Sequence, residues 1–417
     1  MAFGVPWFGF VALAQIRLTD LEGKWSTEFT LVVFGGGLAF VVSALLAAGT
    51  ARARGAIHLW REDYDVRRLV ALSLLLLLAG AAGVAYKAHV LHGIPLLSDN
   101  PDVVRARANT GGESAIPAWS SALTDGLFLS MWAALAALWT LWGRAGWLRG
   151  GALVLLAAVG LFGASLEASR NIALLALAVP AIAVYLMLKP GRRLARAVQV
   201  SVGVAVAFAI VVGAFVLRVE QNQGAGQDYL SAEMDRQPPV LRPLLPLYIN
   251  GAFPLEAERR LADHVPERES YALGGFSFAS LPDAFFPEGK PAFGTVVGEL
   301  MRNTTPGEGG LTWTVASYQG RLYGDLGPAG VILGSILLGL GFGRLYRFGR
   351  RREGFLALAV VAYGAYYAAF MVYDNLLSFT IIAAFDMAVI FLADQYLRDE
   401  GLRAALSRLL RAEPQGA

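Results

Sequence analysis

Several stretches of this chain carry almost no side chain that needs water. Leu69–Val84 and Val198–Val216 are the clearest cases. A backbone placed in hydrocarbon has no solvent to bond, so each such run must satisfy its own N–H and C=O groups as a helix. Composition extends the point to the whole chain. Hydrophobic residues make up 56% and charged residues 16%, against roughly 25% charge in soluble domains. The net charge of +3 and a pI near 9.1 raise the question of nucleic acid. The Arg residues, however, fall in short clusters between apolar runs, where they report topology, and no nucleic-acid partner is expected. The sequence contains no cysteine, which removes disulfides, thiolate metal sites and Cys nucleophiles. Catalysis, if any, falls to carboxylates, Arg, Tyr and the four His.

The expected fold class is an all-α polytopic membrane protein of about ten transmembrane helices, with one large loop before the eighth span. The spans are read at about 2–15, 28–50, 68–88, 118–142, 150–166, 171–188, 198–217, 325–346, 355–373 and 377–396. The first is short for a full crossing. No Lys or Arg precedes Phe3–Ala14 and no cleavage site follows it, so it does not read as a signal peptide. The chain divides into helices one to seven (1–218), the large loop with short helices of its own (219–323), helices eight to ten (324–397) and a tail (398–417). One set of connections is short and basic: Arg52, Arg54, Arg61, Arg67 and Arg68; Arg144 and Arg149; Lys189, Arg192, Arg193 and Arg196; and Arg347, Arg350, Arg351 and Arg352. Threading all the spans puts these on one side together with the tail Arg398, Arg403, Arg408 and Arg411. By the positive-inside rule that side is cytoplasmic, and both termini lie there. In the tail, Leu402, Leu406 and Leu409 oppose Arg403 and Arg411, a pattern that suits the cytoplasmic leaflet surface.

Polar groups concentrate at the opposite ends of the spans. In Ser165-Leu-Glu-Ala-Ser-Arg170-Asn171 almost no loop separates two apolar runs, so Arg170 sits at the membrane boundary. A charge there is functional or paired; the plain alternative is a Glu167–Arg170 pair across one helical turn. A second cluster is Lys87-Ala-His89-Val-Leu-His92-Gly93-Ile-Pro95-Leu96, with Asp99, Asp102, Arg105 and Arg107 after it. Gly-Ile-Pro breaks the third helix. The two Arg then point back over the leaflet, toward a diphosphate that suits their paired donors or simply toward lipid headgroups. His89 and His92 lack the companion ligands of a zinc site, and no metal is expected. The third cluster closes the large loop: Glu299, Arg302, then Arg321, Tyr323 and Asp325 at the entry to the eighth span. Asp325 there is either a favourable charge at a helix N-terminus or an acid that takes up a proton beside positive groups that receive a phosphate leaving group. His264 is a rival base.

Gly93-Ile-Pro95-Leu96-Leu-Ser with Arg105 downstream, the Ser169-Arg170-Asn171 junction and Tyr323-Gly-Asp325-Leu-Gly327-Pro-Ala-Gly330 resemble the bacterial oligosaccharide repeat-unit polymerases. These are the Wzy-type O-antigen polymerases, relatives of the O-antigen ligases. Each motif is short, and their order along one topology is the stronger signal. The resemblance implies a GT-C-like membrane glycosyltransferase of the bacterial inner membrane with its large loop in the periplasm. Its substrate would be oligosaccharide repeat units on undecaprenyl diphosphate, and the growing chain would be transferred with inversion onto an incoming lipid-linked unit. Membrane lipids and a chain-length regulator would be its other partners, and no metal or other cofactor is implied. Carried onto this sequence, Arg170 and Arg321 hold the donor diphosphate, with Arg105 and Arg107 as helpers. Tyr323, Glu167 and Asn171 position substrate, and the catalytic base is Glu299, Asp325 or His264. The rival readings are an O-antigen ligase, a transporter or flippase for the same lipid-linked sugar, and a scaffold for export machinery. Asp386 is the exception to a charge pattern otherwise concentrated at the rim.

Overall fold

A computed structural model of the chain describes residues 4–18, 22–49, 65–94, 97–98, 118–141, 146–166, 179, 182–183, 235–239, 241–242, 245–268, 270–278, 293–302, 316–351, 354–371 and 380–397. The expected spans 171–188 and 198–217 and the tail 398–417 lie outside the described residues, apart from isolated positions. The described residues form helices and no strand: α1 (Gly4–Ala14), α2 (Thr27–Ala48), α3 (Val66–Leu91), α4 (Ala118–Thr140), α5 (Trp147–Ser165), α6 (Leu245–His264), α7 (Phe293–Arg302), α8 (Tyr318–Arg351), α9 (Phe355–Phe370) and α10 (Thr380–Leu397). Five of them, α2, α3, α4, α5 and α8, are long and apolar enough to cross a membrane, which agrees with an all-helical membrane protein.

The helix ends follow local chemistry. Ser26 caps α2 by accepting from the Phe29 N–H at 3.0 Å, and Asp65 caps α3 through the Arg67 N–H at 2.8 Å. At the other end of α3 the left-handed residue is His92, with φ 53°. The Gly93 N–H returns to the Ala88 carbonyl at 3.0 Å, closing the helix just ahead of Gly-Ile-Pro.

The chain forms two compact units. One comprises Ala53–Ala207, Gly349–Ala362 and Ile381–Ala417. Within it α3, α4 and α5 pack through glycines. A Cβ on Gly80 would lie 2.6 Å from the Leu127 nitrogen, one on Gly126 2.7 Å from the Leu76 carbonyl, and one on Gly160 2.8 Å from the Leu127 carbonyl. Only hydrogen at these positions lets the backbones approach so closely, which is how helices gain contact where lipid removes the hydrophobic drive. Ser73 adds a hydroxyl bond to the Ser130 carbonyl at 2.8 Å. At the start of α3, Arg68 donates to the Tyr396 carbonyl near the end of α10 at 3.1 Å.

The other unit comprises Met1–Arg52, Phe208–Phe348 and Tyr363–Thr380. Its core gathers Trp7, Phe40, Phe253, Leu261, Met301 and Tyr318 from α1, α2, α6, α7 and α8. Helix α1 is only 11 residues long and runs beside the first half of α2, with Phe8 stacked on Phe34 at 6.1 Å. The connection after α1 is tied to the region of α6. The Leu18 N–H donates to the Tyr248 hydroxyl at 3.0 Å, the Gln237 amide donates to the Leu18 carbonyl at 2.8 Å, and the Gly23 N–H donates to Glu256 at 3.2 Å.

Helix α8 is two helices joined at a reversal. Gly327 has φ 66° and ψ −157°, a conformation open essentially to glycine alone, and Pro328 follows where a helix begins and its missing N–H costs nothing. In a straight helix Tyr318 and Ser335 would be roughly 25 Å apart; their hydroxyls here are 3.1 Å apart. Residues 318–326 therefore fold back along the start of 328–351. Gly330 permits this, because a Cβ there would lie 2.5 Å from the Leu322 carbonyl. The expected eighth span, 325–346, is thus corrected at its start: the apolar helix begins at Pro328 and Asp325 belongs to the antiparallel half-helix before it.

Candidate functional site

The residues that crowd polar groups into the apolar interior of this unit lie on α6, α7 and the α8 hairpin. Helix α6 is buried almost all round, and its second half reads Glu256-Ala-Glu258-Arg259-Arg260-Leu-Ala-Asp263-His264. The Glu256 carboxylate accepts from Arg260 Nε at 2.7 Å, from Arg259 at 2.8 and 3.0 Å, and from the Gly23 N–H at 3.2 Å. Such saturation is what a buried carboxylate requires. Arg259 also pairs with Asp263 one turn on; its bonds to Glu256 raise the affinity of its guanidinium for its proton further. Arg260 extends to the Leu300 carbonyl at 3.1 Å and so satisfies one of the carbonyls that the last turn of α7 leaves open. Nearby, the hydroxyl of the buried Tyr248 donates to Glu22, and burial together with that carboxylate raises its pKa.

Glu258 is treated differently. It is fully buried, and its Oε2 accepts from the Ser317 hydroxyl. Ser317 is the N-cap of the half-helix: its oxygen accepts from the Gln319 N–H at 3.1 Å and the Gly320 N–H at 3.4 Å. Gly320 lets the half-helix sit on α6, since a Cβ there would lie 3.2 Å from the Glu258 Cβ. Burial pushes the Glu258 carboxyl up to about 8, and the Ser317 bond offsets part of that rise.

Arg321 and Asp325 lie one turn apart on the half-helix, and both are buried. The Arg321 guanidinium stands over the Phe293 ring, 4.3 Å from its centroid, and its Nη1 donates to the Phe276 carbonyl at 3.1 Å. Stacking and hydrogen bonding together fix the plane of the group. Asp325 accepts from the Phe276 and Ser277 N–H groups, each at 2.9 Å, one on each carboxylate oxygen. Backbone bonds Ala272 N to Gly324 O (2.9 Å) and Leu273 N to Asp325 O (3.1 Å) complete the seam between residues 272–277 and the half-helix.

The structure brings Arg321, Tyr323 and Asp325 together on one half-helix, with Tyr323 buried in the core. His264 is the last residue of α6 and half-buried. Glu299 lies on α7, and its side chain is outside the described residues, as are Glu167, Arg170, Asn171, Arg105 and Arg107. Among the described residues no group of three or more His, Cys, Asp or Glu is arranged to hold a metal. The sequence reading passed over Glu256, Glu258, Arg260 and Ser317. A helix buried on nearly every side shows no clear polar face, but Glu256 and Arg260, four apart, form a pair readable from their spacing.

The arrangement offers immobilised guanidinium groups next to a carboxyl group that can hold or release a proton. No protein-family model, curated protein or solved structure matches the chain.

Proposed function

We propose that this protein is a membrane glycosyltransferase that polymerises polyprenyl-diphosphate-linked oligosaccharide repeat units at the non-cytoplasmic face of the bacterial inner membrane. The observation that carries the reading is Arg321, a buried guanidinium fixed between the Phe293 ring and the Phe276 carbonyl at the head of the α8 hairpin. Charge that builds on a departing diphosphate is best met by donors already fixed in place. In this reading the chain has about ten spans in a GT-C-like arrangement and both termini in the cytoplasm. Two ties support the threading: Leu18 and Gly23 contact the region of α6, both on the expected periplasmic side, and Arg68 contacts Tyr396, both on the expected cytoplasmic side.

Arg321 and Arg170 hold the donor diphosphate, aided by Arg105 and Arg107, while Tyr323, Glu167 and Asn171 position the sugars. The acceptor hydroxyl attacks the anomeric carbon, the bond from that carbon to the undecaprenyl diphosphate oxygen breaks, and the hydroxyl proton passes to His264 or Glu299. Asp325 has an N–H on each oxygen and acts by holding the 276–277 turn. Membrane lipids and a chain-length regulator are the remaining partners, and the reaction uses no metal. In a strain lacking the native gene, Arg321→Ala and Arg170→Ala are expected to leave single repeats on the lipid at unchanged protein level. Normal long polymer from both variants overturns the reading. Accumulation of long lipid-linked polymer in the deletion strain identifies a ligase instead.

A second reading, a carrier for the same lipid-linked sugar, gains from the broken helix α8. Interrupted helices are common at transporter binding sites, and α8 is interrupted at Gly327 close to the buried Asp325. Purified protein that builds polymer from lipid-linked repeats without other proteins decides for the enzyme.

A further inference from the structure

Every other buried carboxylate described around α6 and the hairpin is answered. Glu256 meets two guanidinium groups, and Asp325 meets two backbone N–H groups. Glu258, by contrast, is fully buried, has the Ser317 hydroxyl on Oε2, and among the described residues has no hydrogen-bond partner on Oε1. A carboxylate left in that state would cost far more than a single hydroxyl bond returns.

The described neighbours offer Glu258 no uncommitted cation. On α6, Arg259 and Arg260 are both committed to Glu256, and Arg259 also to Asp263. From the hairpin come Ser317, Tyr318, Gln319 and Arg321; the Tyr318 hydroxyl shares with Ser335, and Arg321 donates to Phe276. Arg260 makes the link to α7 through Leu300, and α1 carries no titratable side chain. The Ser317 oxygen is already used by two N–H groups, so its one proton goes to Glu258.

We propose that Glu258, capped by Ser317 at the N-terminus of the half-helix 318–326, is a proton-binding site whose bound proton, on Oε1, keeps the hairpin docked on α6. The positive end of the half-helix next to the carboxyl disfavours a metal cation there, and a cation would also need several oxygens. On the hairpin, Gln319 Oε1 is buried and without a partner among the described residues, one oxygen where a cation needs several.

The direction of the pH effect follows. Burial raises the Glu258 carboxyl from 4.5 to about 8, so the folded chain holds a proton that the unfolded chain has lost between those values. Stability is greatest below the lower value, falls as pH rises through the interval, and levels off above the upper one.

The test uses the full-length protein in lipid nanodiscs, followed by infrared spectroscopy of the protonated-carboxyl carbonyl band between acid and alkaline pH, in sodium and in choline buffers. The expected result is a band that Glu258→Gln removes, present at mildly acidic pH, lost through the range around 8, and equal in both buffers. Ser317→Ala, which deletes the donor to the charged form, shifts that loss to higher pH. Thermal melting of the wild type falls over the same rise in pH, and the fall is absent in Glu258→Gln. The absence at acid pH of any band that Glu258→Gln removes overturns the proposal. So does a band seen in choline but not in sodium, which would mean an alkali-cation site. If Glu258→Gln does not fold, a Ser317→Ala titration identical to wild type overturns it equally.

Discussion

Two groups of helices, one in each unit, hold together by opposite means. In one, α3, α4 and α5 meet backbone to backbone through Gly80, Gly126 and Gly160, and polar contact is a pair of hydroxyls, Ser73 and Ser130. In the other, α6, α7 and the α8 hairpin bury Glu256, Glu258, Arg260, Arg321 and Asp325. Among the described residues α3, α4 and α5 bury no charged side chain, although Arg350, Asp386 and Asp394 are buried elsewhere in the same unit. Ion pairs taken from water rarely out-stabilise apolar packing, so the cluster of five on α6 and the hairpin marks that region as a candidate for chemistry.

The contrast can be broken by substitution. The largest effect is expected at Asp325→Ala, which leaves the Phe276 and Ser277 N–H groups buried without an acceptor. At ~1–3 kcal/mol for each such group, the loss is several kcal/mol and is read by thermal melting in detergent. If the variant instead melts like wild type and loses only activity, Asp325 is a catalytic base and its positional role is wrong. Next comes Gly327→Ala, where backbone strain of ~1–3 kcal/mol adds to an overlap, since the new Cβ would lie 2.6 Å from the Tyr271 hydroxyl. Pairing it with Tyr271→Ala is expected to recover the overlap and not the strain. In the other unit, Gly126→Val forces a branched side chain against the Leu76 carbonyl and is expected to cost ~1–3 kcal/mol, with no change in pH dependence. The smallest effect belongs to Ser73→Ala, about 1 kcal/mol for one hydroxyl bond.

Where apolar runs decide the outcome, the sequence predicts the elements closely. The expected spans 28–50 and 68–88 are observed as Thr27–Ala48 and Val66–Leu91, because lipid imposes helix on any such run and the ends carry ordinary caps. The hairpin was not legible in the same way. Residues 318–326 carry Gln319, Arg321 and Asp325, so hydropathy alone starts the span at Asp325. The reversal depends on Gly327 being glycine, on Gly330 admitting the Leu322 carbonyl and on a long-range contact between Tyr318 and Ser335. The motif Tyr323-Gly-Asp325-Leu-Gly327-Pro-Ala-Gly330 was noticed for its chemistry, and much of it has a structural purpose. Gly324 packs beneath Phe276, Asp325 holds the turn, and Gly327 and Gly330 make the fold-back. Glu258 is illegible for the opposite reason, since one Glu among the charged residues 256–263 carries no sign that it is the one to be fully buried.

The account stands or falls on Arg321 as a diphosphate ligand. The direct measurement is polymer formation by purified protein supplied with lipid-linked repeat units, comparing wild type with Arg321→Lys after melting curves establish that both are folded. Lysine keeps the charge and loses the planar pair of donors. Polymer from the wild type and at least a ~10-fold slower rate from Arg321→Lys, the size of one lost charge-assisted bond, is the predicted result. Equal rates from the two proteins, or no polymer from folded wild type, would contradict it.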